Sequence, residues 1–398
     1  MPFRFYFDNS RNLRILYLIR INKDLVKKLS YFFFPVFLFN IGKDFDLFRQ
    51  FNLSDLQRGM LFIPIYYLVT RILILFTSIP ISKLISILGQ RKSLIIAHTL
   101  QIITTFCFWM MIHNPYFVFL AAVVNSFQAP FFWSSYHTIL SSHAMKSHMG
   151  QDLGLLQFLL QIIQAVSPAI AGLIFFQLGY EPLFVIAIIL NLIGMFVSLY
   201  LEPKSIKHGP SWQEFFSWMK EKQYRLLSVS MMGRHIHEVM LLLWPLYVLF
   251  ILGSVDKVGY LYTLSLFLAM TFSFFIGIYI DHHKSRKPFV TSGGLLSIIW
   301  LLRSQVTTAM GVAVADLIDR LTANFHWLFF DSLLFKRSKG KKSLSYFTYR
   351  EMIISVSEVF IWSTFITVFS ISDNWTVLFI AASTGVLMSL LMKERSLN

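Results

Sequence analysis

The chain of 398 residues is 56% hydrophobic and 14% charged, with a formal net charge of +15; a soluble domain uses about 25% charged residues, so most of this chain belongs in a lipid bilayer. The positive balance does not make a nucleic-acid binder, because that needs Lys and Arg gathered on one soluble face, and here they sit in short gaps between apolar runs. The single cysteine, Cys107, excludes an intramolecular disulfide and a cysteine-cluster metal site.

Residues 1–29 read as a basic cytoplasmic tail. Arg4, Arg11, Arg14, Arg20, Lys23, Lys27 and Lys28 alternate with aromatic and aliphatic residues, which suits a helix lying on an anionic leaflet and equally a poorly ordered leader. About thirty mixed residues precede the first apolar run and no small-residue cleavage site follows, so no cleavable signal is expected. The first span covers 30–42, short of the roughly 20 residues a crossing needs; it continues toward Phe48 or begins earlier than its apolar core. Further spans are predicted at 59–81, 93–112, 116–140, 152–178 and 182–201, which completes a first half over 30–201. Residues 202–224 form the only long polar connection after the tail. Within it Trp212, Phe215, Phe216 and Met219 recur at helical spacing, as an interfacial helix or, less simply, a partner site.

The second half, 225–398, carries spans at 225–252, 259–280, 288–302, 306–334, 344–371 and 375–392, and the basic run Lys336 to Lys342 closes the tenth. With the tail inside, only Lys43, Arg49, Arg58, Lys257 and Arg303 fall outside, which puts both termini in the cytosol.

Two stretches mark an internal duplication. GIYIDHHKSRK, from Gly277 to Lys287, and SKLISILGQRK, from Ser82 to Lys92, lie about half the chain apart, each between two apolar segments and each ending in Arg-Lys. A second trace is the aromatic-proline pair leading to glycine, FPVFLFNIG from Phe34 and WPLYVLFILG from Trp244. Proline frees backbone groups in a spanning helix and kinks it, so hinged first helices in each half are one reading and a packing accident the other. Duplication with matching basic turns points to a transporter of parallel repeats.

On these loops the chain resembles the major facilitator superfamily, whose signature G-x-x-x-D-R-x-G-R-K joins the second and third helices and recurs, weaker, between the eighth and ninth. The second copy here is the fuller one, with Gly277, Asp281, Arg286 and Lys287. The first has Ser82 and Ser86 for the Gly and Asp and keeps Gly89, Arg91 and Lys92. The resemblance makes these a cytoplasmic gate. It also implies an all-α polytopic membrane protein of about 12 transmembrane helices, as two six-helix bundles related by a pseudo-two-fold axis. Asn125, Gln128 and Ala129 in the fourth span are similar to the family's R-x-x-Q-G, with the arginine replaced. SPAIAG, from Ser167 to Gly172, is similar to its antiporter motif G-P-x-x-G-G, and weakly suggests the drug/proton antiporter branch and efflux.

Ionisable groups at membrane depth are costly and face a cavity or a partner. They are Arg71, Arg234, Glu238, Asp316, Asp319, Arg320 and Glu358, and all fall on helices that the resemblance places around a central cavity. Arg234 with Glu238 and Asp316 with Arg320 are spaced to pair on one helix face, as structural bridges or as coupling groups. Asp319 and Glu358 lack a partner on their own helices, so the four carboxylates are ranked as proton-coupling candidates in the order Asp319 and Glu358, then Glu238 and Asp316. Arg71 attracts an anionic group or pairs with a carboxylate across the cavity. With Gln128, Gln157, Gln161, Gln164, Arg234 and Arg320 it forms the candidate substrate set, although glutamines at this spacing also bridge helices. The tryptophans Trp109, Trp133, Trp244 and Trp327 can stack on a flat solute or simply pack, and the histidines lack the spacing and third ligand that zinc needs.

With no nucleotide-binding loop or hydrolase motif in the chain, the leading expectation is secondary active transport of a small solute by alternating access, coupled to protons, in the plasma membrane, with no cofactor and no metal. A non-transporting receptor or scaffold of the same fold is the alternative, and a membrane enzyme a third.

Overall fold

A computed structural model describes residues 11–143, 149–202, 209–282, 286–337, 342–372 and 374–392; within its helices, the side chains of 143, 149–155, 157, 268–269, 271–282 and 336 lie outside the description. Among the described residues the regular structure is helical, as lipid requires of an open chain that must satisfy every backbone group within its own segment. Among the described residues, eight segments, the first of them the broken Arg11–Lys43, are long and apolar enough to cross a membrane.

The first crossing is broken. α1 (Arg11–Leu25) passes into a π-helical turn, Val26–Ser30, and after a bend at 31–33 resumes as α2 (Phe34–Lys43) with Pro35 in its first turn. A proline is tolerated there because the first N–H groups of a helix have no intrahelical partner. The surface tail expected at 1–29 is therefore corrected over 11–29. Leu13, Leu16 and Ile19 are buried, and α1 packs on the fifth and sixth spans. The whole segment Arg11–Lys43 supplies the length that 30–42 lacked.

After the short helix α3 (Asp46–Arg49), the second span α4 (Asp55–Leu88) starts from a capping box in which the Gln57 N–H donates to Ser54 Oγ at 3.2 Å and the Ser54 N–H to Gln57 Oε1 at 3.0 Å. It ends at Gly89, whose φ of 80° turns the chain directly into α5 (Gln90–Met110). There follow α6 (Phe117–His143), α7 (Met149–Leu178) and α8 (Glu181–Ser198). The second half is α10 (Lys222–Leu252), α11 (Val255–His282), α12 (Lys287–Arg303), α13 (Ala309–Arg337), α14 (Ser343–Ile371) and α15 (Thr376–Ser389), reached through the linker helix α9 (Trp212–Lys220). Proline inside a span leaves a carbonyl four residues earlier without its donor. At Pro130 that carbonyl belongs to Ser126, and the Thr77 hydroxyl of α4 donates to it at 3.0 Å. α10, by contrast, runs through Pro245 as one helix.

The halves meet along α4 with α14 and α7 with α11. On the first seam the rings of Tyr67 and Trp362 stack at 4.6 Å, and Ser82 and Thr348 share a hydrogen bond of 2.7 Å. On the second, the small residues of SPAIAG let backbones touch: a Cβ on Gly259 would lie 2.4 Å from the Pro168 carbonyl oxygen, and one on Gly172 3.0 Å from that of Val255. Because backbone cannot yield as a side-chain tip can, Gly259→Val is expected to cost about 1–3 kcal/mol by overpacking, read as a lower melting temperature of the detergent-solubilised protein. An unchanged melting temperature would mean that the two helices separate freely.

Candidate functional site

The break in the first span carries charge into the middle of the bundle. α1 rises about 22 Å and α2 about 15 Å at 1.5 Å per residue, so the π-helical turn between them lies within the span and not at either end of it. Asp24, just before it, accepts from Gln164 Nε2 of α7 at 3.0 Å and lies 3.9 Å from Arg20. The Lys23 ammonium donates to Gln101 Oε1 at 2.8 Å and sits over the Phe132 ring, while Arg20 lies over Trp133. Lys28 belongs to the turn itself. These groups were read from the sequence as tail charges; the shortness of the 30–42 run was the one signal that they belong to the membrane.

Across the seam from the first half to the second, Arg71 of α4 grips Glu358 of α14 as a two-pronged pair, Nε to Oε2 at 2.8 Å and Nη2 to Oε1 at 2.7 Å. Both lie near the middle of their helices. Of the two readings open for Arg71, the structure has the carboxylate partner, and Glu358 is not the unpartnered acid its own helix suggested. A forked guanidinium-carboxylate pair fixes direction as well as distance, so it reports the relative position of the two bundles.

Arg234 binds Glu238 at 2.8 Å, at the expected spacing, and also Asp331 of α13, which the sequence did not single out; His235 Nδ1 lies 2.9 Å from the second Glu238 oxygen. The rings of Trp327 and Phe330 flank the same guanidinium. This network lies wholly within the second half.

So does a second one toward the end of the bundle away from the linker. Arg320 binds Asp316 at 2.8 Å as the spacing predicts, and Arg303 Nη2 lies 3.4 Å from both Asp316 and Asp319. Asp319 therefore has a charge partner from the neighbouring helix, and its other oxygen, Oδ1, has none. Arg303 was placed in an outer loop; it is instead fully buried as the last residue of α12, its guanidinium 4.2 Å from the Trp244 ring centre and 4.3 Å from that of Trp300. A lone arginine at a helix end reads as a loop charge, and only the two tryptophans of other turns reveal otherwise.

Of the remaining substrate candidates, Gln164 is taken by Asp24. Gln161 is buried with neither amide atom bonded, and Gln128 is buried with its Nε2 unbonded. The Gln157 side chain lies outside the described residues, as do those of Gly277 and Asp281 at the second basic loop. There Arg286 donates to the carbonyl of Leu390, which caps the end of α15 in the same half, and Lys287 opens α12. In the first loop Gly89 makes the turn, Arg91 is half-buried and Lys92 exposed.

The linker is fastened to the second half. Helix α9 is capped by Ser211, and the expected apolar stripe divides: Phe215 packs on Tyr349 and Met219 against the same buried cluster, while Phe216 and Trp212 stay exposed; Trp218, outside that stripe, packs on Tyr224. Glu214 accepts from Lys342 Nζ at 2.7 Å and from the Tyr349 hydroxyl at 2.8 Å. Partial burial raises the Glu214 carboxyl, but these two donors outweigh it and hold it below the ordinary value, and the bond to Glu214 raises Lys342. A depressed carboxyl stabilises above its unfolded pKa and loses that contribution as pH falls through its folded value. The raised lysine acts in the opposite sense: its contribution is full below its unfolded pKa and fades as pH rises through the folded one. The fastening is thus expected to hold across neutral pH and to loosen in acid, seen as faster amide exchange in 212–220; Glu214→Gln should show that faster exchange already at neutral pH.

Two six-helix bundles meeting along paired seams, with a broken first span and ion pairs at mid-depth, define a polytopic membrane transporter fold. The sequence profile of the Major Facilitator Superfamily matches residues 29–234, and the chain belongs to that family. No curated protein sequence matches it. Among solved structures, the human organic anion transporter MFSD10 (TETRAN) superposes with a TM-score of 0.73 at 10% identity, over 97% of this chain and 100% of that one. A bacterial homologue of the iron transporter ferroportin in an outward-facing state gives 0.67 at 13%, over 96% and 98%. The Major Facilitator Superfamily transporter FucP in the outward conformation gives 0.67 at 11%, over 95% and 96%. At such identities these likenesses show a shared fold. The protein is a membrane transporter, not an enzyme.

Proposed function

We propose that the protein is a secondary active transporter that moves a small solute by alternating access, with proton binding at Glu358 coupled to the movement. The observation that carries this reading is the forked Arg71–Glu358 pair, which joins the two bundles at mid-depth. A rocking motion of one bundle against the other has to remake this contact, and protonation removes the charge that holds it. Asp319 and Asp316 are weaker candidates than their sequence ranking suggested, because their partners all belong to the second half and move with it. Glu238 shares that limitation, although its side chain is the more exposed.

The small-residue contact of α7 with α11 resembles an antiporter motif and supports export in exchange for protons. The bias of Lys and Arg toward the linker and the short inner loops supports a plasma-membrane protein with both termini in the cytosol. In that orientation Gly89, Arg91, Lys92, Gly277, Asp281, Arg286 and Lys287 would gate the cytoplasmic mouth, as the family resemblance implies.

The experiment is counterflow in proteoliposomes made with the purified protein, with and without an imposed pH gradient. Exchange of labelled solute together with gradient-driven accumulation is the expected result. Exchange without any response to the gradient would leave a uniporter, and no exchange at all would favour a receptor or scaffold.

A further inference from the structure

We propose that the transported solute carries an anionic group, a carboxylate or a phosphate, and that the Lys28 ammonium in the broken first span receives it. The inference rests on the transporter reading above, because the seam between the halves is the route a solute would take.

Lys28 lies in the π-helical turn of the broken first span. Arg71, Arg234, Arg303 and Arg320 each hold a carboxylate, whereas Lys28 forms no ion pair among the described residues. The acid nearest to it along its own helix, Asp24, is already engaged by Arg20 and Gln164. A cation inside a spanning segment with no ion-pair partner of its own is costly, and an entering anion lowers that cost.

A second observation is independent of charge. Gln161 of α7 is 3% exposed and neither its Nε2 nor its Oε1 has a hydrogen-bond partner; the hydroxyl of Tyr262 on α11, also 3% exposed, has none either. Gln161 lies one turn from Gln164, which reaches the break in the first span. The Tyr262 ring sits beneath the Arg320 guanidinium and edge-on to Phe32, four residues beyond Lys28. Buried polar groups are normally bonded, and amide and hydroxyl donors suit the oxygens of a carboxylate or phosphate. The rings of Phe32 and Tyr262 offer apolar surface for the rest of such a molecule.

The test is a thermal-shift titration of the purified full-length protein with benzoate, acetate and inorganic phosphate at constant chloride, against benzamide and acetamide as uncharged counterparts. At least one anion should raise the melting temperature where its uncharged counterpart does not, and which one does so separates carboxylate from phosphate. Lys28→Gln should weaken that binding about 10- to 100-fold, the range expected for losing one charge-assisted hydrogen bond. Lys28→Arg should retain most of it, and Lys27→Gln should leave it unchanged. Failure of all three anions to stabilise, or equal stabilisation of wild type and Lys28→Gln, overturns the proposal. Counterflow measured alongside keeps the two readings apart. Exchange with no anion binding sinks only the anion site, and Lys28-dependent anion binding without exchange sinks only the transport cycle.

Discussion

Glu358→Gln is expected to abolish solute accumulation driven by a pH gradient while exchange down the solute's own gradient remains measurable. Glutamine keeps the shape of the side chain and removes the charge that protonation would remove, so it imitates one half of the cycle permanently. In the wild type the carboxylate takes two hydrogen bonds from Arg71 across the seam of α4 and α14. An amide can accept only one of them, and the guanidinium is left in a poorly solvated setting without its countercharge. Removing one partner of a buried pair costs about 3–5 kcal/mol, so the variant should also melt earlier, and transport must be normalised to folded, reconstituted protein. Arg71→Gln in the same background removes the stranded charge and should recover stability without recovering coupling. Wild-type accumulation by Glu358→Gln, with an unaltered dependence on pH, would take the proton away from this residue.

The largest effect on stability is expected from Arg303→Met. Its guanidinium is fully buried between the rings of Trp244 and Trp300 and is shared by Asp316 and Asp319, which are 1% and 2% exposed. Methionine fills much of the slot but leaves two buried carboxylates with only Arg320 near them. The expected loss is again about 3–5 kcal/mol for the broken pair, with the ring contacts adding to it at up to about 2 kcal/mol each. Adding Asp319→Asn removes the excess negative charge, so the double variant should be more stable than Arg303→Met alone. A double-mutant cycle isolates that coupling. Melting at a fixed scan rate in one detergent is the measurement, since heated membrane proteins seldom refold and such values depend on rate. A midpoint within a degree or so of wild type would mean that Arg303 is held by the rings and contributes nothing to the two acids.

What the sequence by itself determined is what repeats along it. Apolar runs of spanning length, turned by short basic loops, placed the spans from 59–81 onward on the helices α4 to α8 and α10 to α15, with the largest miss at the end of α4, which runs on to Leu88. They did so because in lipid each segment must satisfy its own backbone and needs no partner to choose helix. The pairs four residues apart, Arg234 with Glu238 and Asp316 with Arg320, were legible for the same reason: the helix alone brings them together. The small residues of SPAIAG likewise announced a close approach, which Gly259 of α11 completes.

Only the tertiary structure decided which distant charges meet. Glu358 and Arg71 are far apart in the chain and neither carries a local sign of the other. Asp331 and Arg303 join their networks from neighbouring helices. The first span was misjudged because Arg20, Lys23, Asp24, Lys27 and Lys28 make it too polar to read as membrane. That polarity is tolerated because Gln101, Gln164 and the rings of Phe132 and Trp133 receive part of it from other helices. A helix declares its own backbone in sequence, but the partner of a buried charge is fixed by packing between helices, and packing is not written in any one of them.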